Sequence, residues 1–138
     1  MKLLDEKRAI ANSLMRKYCQ HSENKELAFN FADKTKQLSI IACKIKPQFV
    51  WVSKSWVEYL GWDKYELTST PFTELIHPDD LEASIAAFEY FQRTGKLAYE
   101  GSFLNRYRCK DGSYKRILWE DVLETSHTSY MMTAIQLD

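Results

Sequence analysis

The chain has 138 residues, of which 45% are hydrophobic and 14% aromatic, and this composition excludes a disordered segment and fits one globular domain. Lysine plus arginine and aspartate plus glutamate number 19 each, which excludes a strong attraction of the whole domain to nucleic acid or anionic lipid. The three cysteines have no disulfide pattern, and no apolar run approaches the roughly 20 residues of a membrane helix. We therefore expect a cytoplasmic protein without a membrane segment.

The N-terminal segment predicts an amphipathic helix over residues 2–20. Its apolar side chains fall near one side of the helix: Leu3, Leu4, Ile10, Leu14 and Tyr18. The segment is too charged for a secretory signal peptide. We therefore interpret residues 1–37 as an N-terminal helical extension for capping or dimerisation, followed by a domain over residues 38–138.

The remainder of the chain groups its strand patterns at the two ends of the domain. The runs "LSIIACKI" and "FVWV" are rich in β-branched and aromatic residues, and a turn at residues 46–48 separates them, so they predict two strands. Three further strands are predicted over residues 99–109, 114–123 and 129–137, with the helices between the two sets. This order predicts an α+β domain with an antiparallel sheet.

Local signals predict where the middle helices begin and end. Gly61 is a natural stop for the first helix, and Asp63 and Glu66 have the spacing of a capping box that begins the second. A longer helix is predicted from the "HPDD" segment to a stop near Gly95. Its buried face is predicted to carry Leu81, Ile85 and Phe88.

The segment "NRYRCKDGSYKRILW" allows two hairpin registers. A two-residue Asp-Gly turn would pair Lys110 with Ser113, whereas a three-residue loop with a left-handed Gly112 would pair Cys109 with Ser113. A slip of one residue exchanges the two faces of a strand, so the apolar side chains decide between the registers. They favour the three-residue loop, because it collects the aromatic residues on one face.

In this register the predicted sheet has an aromatic interior face and a basic exterior face. The interior face carries Phe103, Tyr107, Ile117, Trp119 and Leu123, and the exterior face carries Arg106, Arg108 and Arg116. The exterior face also carries apolar side chains: Leu104, Leu118, Val122, Met131, Ile135 and Leu137. We interpret the arginines as a solvated strand face rather than a nucleic-acid surface, because few aromatic residues accompany them. We expect the N-terminal helix, from this chain or a partner chain, to cover the apolar part.

Four segments follow one another in an order that resembles a PAS domain: "FVWVSKSWVEYLGWDKYEL", "PFTELIHPDDLEA", "NRYRCKDGSYKRILW" and "MMTAIQLD". The resemblance covers about residues 38–138, and the spacing from "HPDD" to "KDGSY" is its most specific part. It implies a PAS fold, with a five-stranded antiparallel sheet and helices on one face, in a module for sensing or protein interaction. The chain departs from the family at "SKSW", where many relatives have Asn-Pro, and this departure bears on the start of the first helix.

The resemblance also bears on whether the protein forms an adduct with a flavin cofactor. Gln136 lies where light-sensing relatives place a glutamine against the flavin ring. Those relatives also carry a reactive cysteine and a nearby arginine, and by the resemblance Phe72 and Thr73 stand at those positions. Cys43 and Cys109 fall in predicted strands elsewhere. We therefore expect no cysteinyl-flavin adduct.

The histidines do not predict a haem or metal site. The long helix after "HPDD" contains no histidine, and His21 and His127 fall in a predicted loop and turn. His77, Asp79 and Asp80 have metal-binding side chains, but the aspartates fall in the first turn of a helix, where they complement the helix dipole and the same field disfavours a cation. We therefore expect neither a cofactor nor a metal, and we interpret His77 as a helix-start residue.

The interior face between helices and sheet is the candidate ligand site. Its predicted lining residues are Phe72, Phe88, Tyr107, Ile117, Trp119 and Gln136. A ligand here should be small and mostly apolar, with hydrogen bonds from Tyr107 and Gln136. Large aromatic side chains pack in cores more often than they bind ligands, so a filled core is the competing interpretation.

We expect a sensory or regulatory module of bacterial signal transduction, such as a two-component system. It would sense a small ligand or relay a signal through dimer contacts to an output domain, a kinase or a cyclase, outside this chain. The alternative is a pure interaction module that dimerises around a filled core. No Ser/His/Asp elbow, phosphate loop or H-E-x-x-H motif occurs in the sequence, so we expect no catalysis. We expect a homodimer through the N-terminal helix and the exterior sheet face, and no nucleic-acid or membrane partner.

Overall fold

The elements of the domain follow the predicted order. The computed structural model describes residues 37–95 and 103–138, and the predicted helix over residues 2–20 lies outside them. The elements are β1 (Leu38–Cys43), β2 (Phe49–Val52), α1 (Lys54–Leu60), α2 (Lys64–Ser69), a 3-10 turn (Phe72–Glu74), α3 (Pro78–Thr94), β3 (Phe103–Arg108), β4 (Tyr114–Glu124) and β5 (Ser129–Gln136). No helix in these two ranges has the length and apolar character that crossing a membrane requires.

The five strands form one antiparallel sheet in the order β2-β1-β5-β4-β3. The two terminal strand sets therefore meet at the centre of the sheet, where β1 pairs with β5. The helices lie on one face, and their buried side chains pack against those of the strands. The fully buried members of this core include Leu38, Val52, Trp56, Leu67, Ile117 and Ala134. The predicted five-stranded sheet with helices is confirmed.

The residues predicted to end α1 and to begin α2 have these roles in the structure. The N–H of Gly61 donates to the carbonyl of Val57 at 2.8 Å, and Gly61 has a φ of 86°, which a glycine adopts without strain. Asp63 and Glu66 form the reciprocal capping box at the start of α2. The buried face of α3 differs from the prediction at one position, because Ile85 is 39% exposed whereas Ser84 is buried.

The β3–β4 hairpin has the three-residue loop. The N–H of Cys109 donates to the carbonyl of Ser113 at 2.7 Å, and the N–H of Gly112 donates to the carbonyl of Cys109 at 3.0 Å. Gly112 has a φ of 91°, the left-handed conformation that the register requires. Arg106 consequently lies opposite Arg116, and Tyr107 lies opposite Lys115. The predicted register is confirmed.

A β-bulge in β4 corrects the predicted faces beyond the hairpin. Trp119 lies opposite Ala134, but Asp121 lies opposite Thr133, so one additional residue enters β4 between them. After the bulge, even-numbered residues of β4 face the helices. Val122, predicted on the exterior face, therefore packs against the core, and Leu123, predicted on the interior face, lies opposite Met131 on the exterior.

The bulge divides the exterior face into rows. One apolar row crosses three strands through Leu104, Leu118 and Ile135, and a second crosses four strands through Leu123, Met131, Ile41 and Trp51. Between them lies a polar row of Asp121, Thr133 and Ser39. Met131 and Ile135 are buried, whereas Leu104 is 50% exposed.

The segment before α3 and the first turn of α3 cover the outer edge of β3. The N–H of Arg108 donates to the carbonyl of Leu75 at 2.7 Å, and the N–H of His77 donates to the carbonyl of Arg106 at 2.9 Å. The carboxylate of Asp80 then accepts from the backbone N–H of Arg106 at 2.9 Å and from its guanidinium at 2.9 and 2.8 Å. These contacts satisfy edge groups that would otherwise be open to pairing with another chain.

Acidic partners accompany the basic residues of the hairpin. Asp80 pairs with Arg106, Glu66 with Lys110 at 3.0 Å, and Asp138 with Arg116 at 2.9 Å. Hydrogen bonding from the Arg106 guanidinium lowers the pKa of Asp80, and the Arg116 side chain lowers the pKa of Asp138. Arg106 and Arg116 are therefore locally neutralised, and the Arg108 guanidinium lies over the Trp62 ring at 5.9 Å from its centroid, which agrees with a solvated strand face.

We predict that Gly112→Val strongly destabilises the protein. A β-branched residue resists a φ of 91°, and a strained backbone of this kind costs about 1–3 kcal/mol. Urea unfolding of the variant and of wild type measures the loss. Gly112→Asn is the matched control, since asparagine tolerates the left-handed region, and it should lose clearly less. Equal unfolding midpoints for Gly112→Val and wild type would contradict the argument.

Candidate functional site: a cavity between helix α3 and the sheet

A cavity of about 70 Å³ lies between α3 and the interior face of the sheet. Most of its lining is aromatic or aliphatic: Ile40, Phe49, Phe72, Ile76, Ala87, Phe88, Phe91, Phe103, Trp119 and Met132. Four side chains with a hydroxyl or amide group complete the lining: Ser84, Asn105, Tyr107 and Tyr130. It is a largely apolar cavity with a few polar groups, as is common for small-molecule sites.

Helix α3 forms one wall of the cavity through residues three and four apart. Ser84, Ala87, Phe88 and Phe91 lie on the same side of the helix and all line the cavity. The start of α3 fixes this side, because Pro78 occupies the first helical position and the Nδ1 atom of His77 accepts from the N–H of Asp79 at 3.0 Å. The sequence therefore determines which side of α3 faces the sheet.

A buried polar triad joins this wall to the sheet. The Asn105 side-chain amide donates to the Ser84 hydroxyl at 3.1 Å, and its oxygen accepts from the Trp119 indole N–H at 2.9 Å. Since indole nitrogen is only a donor, the bond from Trp119 fixes the orientation of the Asn105 amide. The triad therefore connects α3, β3 and β4 at one edge of the cavity.

Two phenol groups at the cavity lack protein partners. Tyr107 is 2% exposed and Tyr130 is 3% exposed. Neither phenolic hydroxyl has a hydrogen-bond partner in the part of the chain that the structure describes. Burial raises the pKa of both phenols, and the neighbouring Tyr130 makes a smaller contribution to the rise for Tyr107. Both groups are therefore protonated donors at neutral pH.

The remaining interior space is filled by aromatic packing. The Trp56 ring of α1 is fully buried, and its centroid lies 5.5 Å from those of Tyr107 and Trp119 and 5.6 Å from that of Phe49. These distances are favourable for aromatic pairs. Trp56 therefore closes the α1 side of the interior, and the space that remains is the cavity under α3.

Four of the six predicted lining residues come together at the cavity. Phe72, Phe88, Tyr107 and Trp119 line it, and the Phe72 and Phe88 rings meet edge to face at 5.4 Å. Ile117 and Gln136 do not line it. They lie opposite each other on β4 and β5, beyond Trp119 and Ala134 in the direction away from Tyr130, so Gln136 is not placed to bind a ligand there.

The prediction missed three polar lining residues. Asn105 lies two residues from both Phe103 and Tyr107 along β3, so all three side chains share one face of the strand. Strand periodicity was therefore a signal for the inward orientation of Asn105. Tyr130 shares a face with Gln136 by the same alternation. Ser84 had only the helical spacing from Phe88 as a signal, and serine is usually exposed.

The residues considered for cofactors lie away from the cavity or have structural roles. Cys43 and Cys109 are free thiols, half-buried and buried respectively, and neither lines the cavity. His77 caps α3, and its ring contacts Tyr114 at 4.4 Å between centroids. Within residues 37–95 and 103–138, no group of three or more metal-binding side chains comes together.

Comparisons with known proteins agree with this architecture. A family sequence model described as PAS fold matches residues 49–125. No curated protein sequence matches the chain significantly. Among solved structures, a PAS domain from a two-component sensor histidine kinase is 14% identical, with a TM-score of 0.64, and the match covers 84% of this chain and 99% of that chain.

Two further structures contain small molecules. The Cronobacter turicensis RpfR quorum-sensing receptor PAS domain in complex with BDSF is 14% identical, with a TM-score of 0.60, over 75% of this chain and 95% of that one. The Drosophila melanogaster Cycle PAS-B domain with bound ethylene glycol is 18% identical, with a TM-score of 0.58, over 72% and 99%. At these identities the structures establish a shared fold.

The family match spans more than half of the chain and includes β2, the helices, β3 and β4, whereas β1 and β5 lie outside the matched residues. The described sheet has the five antiparallel strands that the resemblance implied. This chain belongs to the PAS family.

Proposed function

We propose that this protein is a sensory PAS module that binds a small ligand in the cavity under α3. The observation that carries the proposal is an apolar cavity of about 70 Å³ at which two buried phenols have no partner among the described residues. A hydroxyl that lines a cavity without a protein partner can donate a hydrogen bond to a bound molecule. The complexes of the receptor and Cycle domains with BDSF and ethylene glycol support such a role for this fold.

The module acts by relaying occupancy rather than by catalysis. The bacterial, cytoplasmic setting and an output domain such as a kinase or cyclase, outside the described residues, are parts of this proposal, and the similarity to the domain from a sensor histidine kinase supports them. Nucleic acid is not among the proposed partners, because acidic residues neutralise Arg106, Lys110 and Arg116 of the basic hairpin.

A second candidate function is a pure interaction module. The aromatic packing around Trp56 leaves a cavity that is small beside the roughly 300–1,000 Å³ of sites for drug-sized ligands. Leu104, which is 50% exposed at the end of one apolar row of the exterior sheet face, offers a contact for self-association. In this alternative the cavity contributes nothing to function, and the dimer contacts carry the signal.

We predict that Ala87→Leu abolishes ligand binding. Ala87 lines the cavity from α3, and a leucine side chain there occupies the space of a ligand. Native mass spectrometry of the purified full chain first reports any bound small molecule. NMR titration with small neutral compounds then gives affinities, which the variant should weaken by about ten-fold or more.

Ala86→Leu is the matched control for this experiment. Ala86 is the exposed neighbour on α3, and its substitution should leave binding unchanged. Binding that survives Ala87→Leu would place the ligand elsewhere. Wild-type protein that binds none of the compounds and carries no co-purified molecule would favour the interaction module.

The cofactor proposal gives a separate prediction: the purified protein is colourless. Neither described thiol lines the cavity, and a volume of about 70 Å³ is far below that of sites for large ring cofactors. Absorption spectroscopy of protein purified without added cofactor tests this expectation. A flavin or haem band that remains with the protein through gel filtration would contradict it.

We further propose a homodimer formed through the N-terminal helix and the exterior sheet face. Leu104 is 50% exposed at the end of the row that it forms with Leu118 and Ile135, and two copies can bury such a patch symmetrically. The apolar stripe of Leu3, Ile10 and Leu14 belongs to the helix predicted from the sequence over residues 2–20, which lie outside the described residues. A short helix needs a surface to pack on.

We predict that Leu104→Asp and deletion of residues 1–20 both shift the protein from dimer to monomer. A buried charge without a partner costs an interface far more than an exposed one does. Sedimentation at high micromolar concentration measures the change. Ile45→Asp is the control, because Ile45 is 76% exposed in the β1–β2 turn. A monomeric wild type, or a dimer that survives both changes, would show that this interface is wrong.

A further inference from the structure

The polar groups at the cavity are all neutral. Among residues 37–95 and 103–138, its lining contains no aspartate, glutamate, lysine, arginine or histidine. A charged ligand would lose its hydration on entry and gain no opposite charge, which carries a large energetic cost. The cavity therefore selects neutral molecules.

The free polar groups of the cavity are hydroxyls, each of which has a proton to donate. Asn105 already accepts from Trp119 and donates to Ser84, so the triad satisfies much of its own capacity. The hydroxyls of Tyr107 and Tyr130 remain, and both are protonated at neutral pH because the ordinary pKa of a phenol is about 10. Burial raises the pKa of both groups and so reinforces this state. A ligand that satisfies both groups must supply acceptor capacity, and one carbonyl oxygen has two lone pairs.

We propose that the cavity takes a small neutral carbonyl compound, a ketone or an aldehyde, whose oxygen accepts hydrogen bonds from Tyr107 and Tyr130. This inference rests on the proposed function and specifies its ligand class. The apolar remainder of the molecule packs against the aromatic and aliphatic lining, including Phe72, Phe88 and Met132.

The volume limits the size of this compound. An engineered apolar cavity of about 150 Å³ binds benzene, so about 70 Å³ accommodates roughly three or four non-hydrogen atoms. Ligands this small bind no more tightly than about tens of micromolar, even at the best efficiency per atom. Affinities in the millimolar range are therefore expected.

The experiment compares acetone with 2-methylpropene in the full chain. The two molecules have the same number of non-hydrogen atoms and nearly the same shape, but only acetone has an oxygen acceptor. NMR titrations give the Kd of each probe for wild type, Tyr107→Phe and Tyr130→Phe. Each substitution should raise the acetone Kd about five-fold and leave the 2-methylpropene Kd unchanged.

Tyr65→Phe is the matched control, because Tyr65 is 79% exposed and lies outside the cavity. It should leave both Kd values unchanged. The two cavity substitutions remove hydroxyls without protein partners, so each variant should keep or raise its melting temperature without ligand. A marked fall in melting temperature would show that the hydroxyls serve the fold, and would overturn the proposal.

The outcomes separate the ligand class from the proposed function. If 2-methylpropene binds, Ala87→Leu abolishes that binding and both cavity variants leave the ratio of the two Kd values unchanged, the carbonyl proposal is wrong while the sensory site remains. If neither probe binds the wild type, this inference fails, and the proposed function fails with it when no other small compound binds and no molecule co-purifies. An acetone-specific loss in both variants supports the proposal.

Discussion

The register of the β3–β4 hairpin determines the sheet wall of the cavity. The left-handed Gly112 closes a three-residue loop, and that loop directs Asn105, Tyr107 and Trp119 towards the helices. The alternative turn would direct the arginines of the hairpin towards the helices, and the described lining of the cavity there has no acidic residue to pair with them. A single backbone conformation therefore separates an aromatic interior with two phenols from a buried set of charges, whose cost a small domain cannot offset.

Two kinds of contact hold α3 at the distance that leaves the cavity open. At its start, Asp80 binds the backbone and side chain of Arg106, and further along, Ser84 joins Asn105 and Trp119. Hydrogen bonds have narrow length limits, so they fix the spacing between helix and sheet more sharply than apolar packing does. The aromatic cluster around Trp56 fills the interior beneath α1. The indole N–H of Trp56 is buried without a partner among the described residues, and this lost hydrogen bond is part of the energetic cost of the packing.

Much of the fold follows from local sequence signals, and the cavity follows only in part. Alternation, glycine stops and the capping box correctly indicated the strands and helix ends, because each depends on neighbours a few residues away. The inclusion of Ile117 and Gln136 in the lining failed for another reason. Both have the inward orientation that alternation predicts, but position along the strands relative to α3 decides which inward residues meet the cavity. The hydrogen bond between Ser84 and Asn105 could not be predicted, because a buried polar pair is recognisable only when both partners are known.

The bulge between Trp119 and Asp121 is a local irregularity with a wide effect. Before the bulge, the odd-numbered residues of β4 face the helices, and after it the even-numbered residues do. Sequence comparison across β4 is affected directly. Aligning this strand with a relative that lacks the extra residue requires a gap at the bulge. Without it, every column beyond Trp119 would set a core position against a surface one. At identities of 14–18%, a one-residue misplacement of this kind is enough to conceal a shared core.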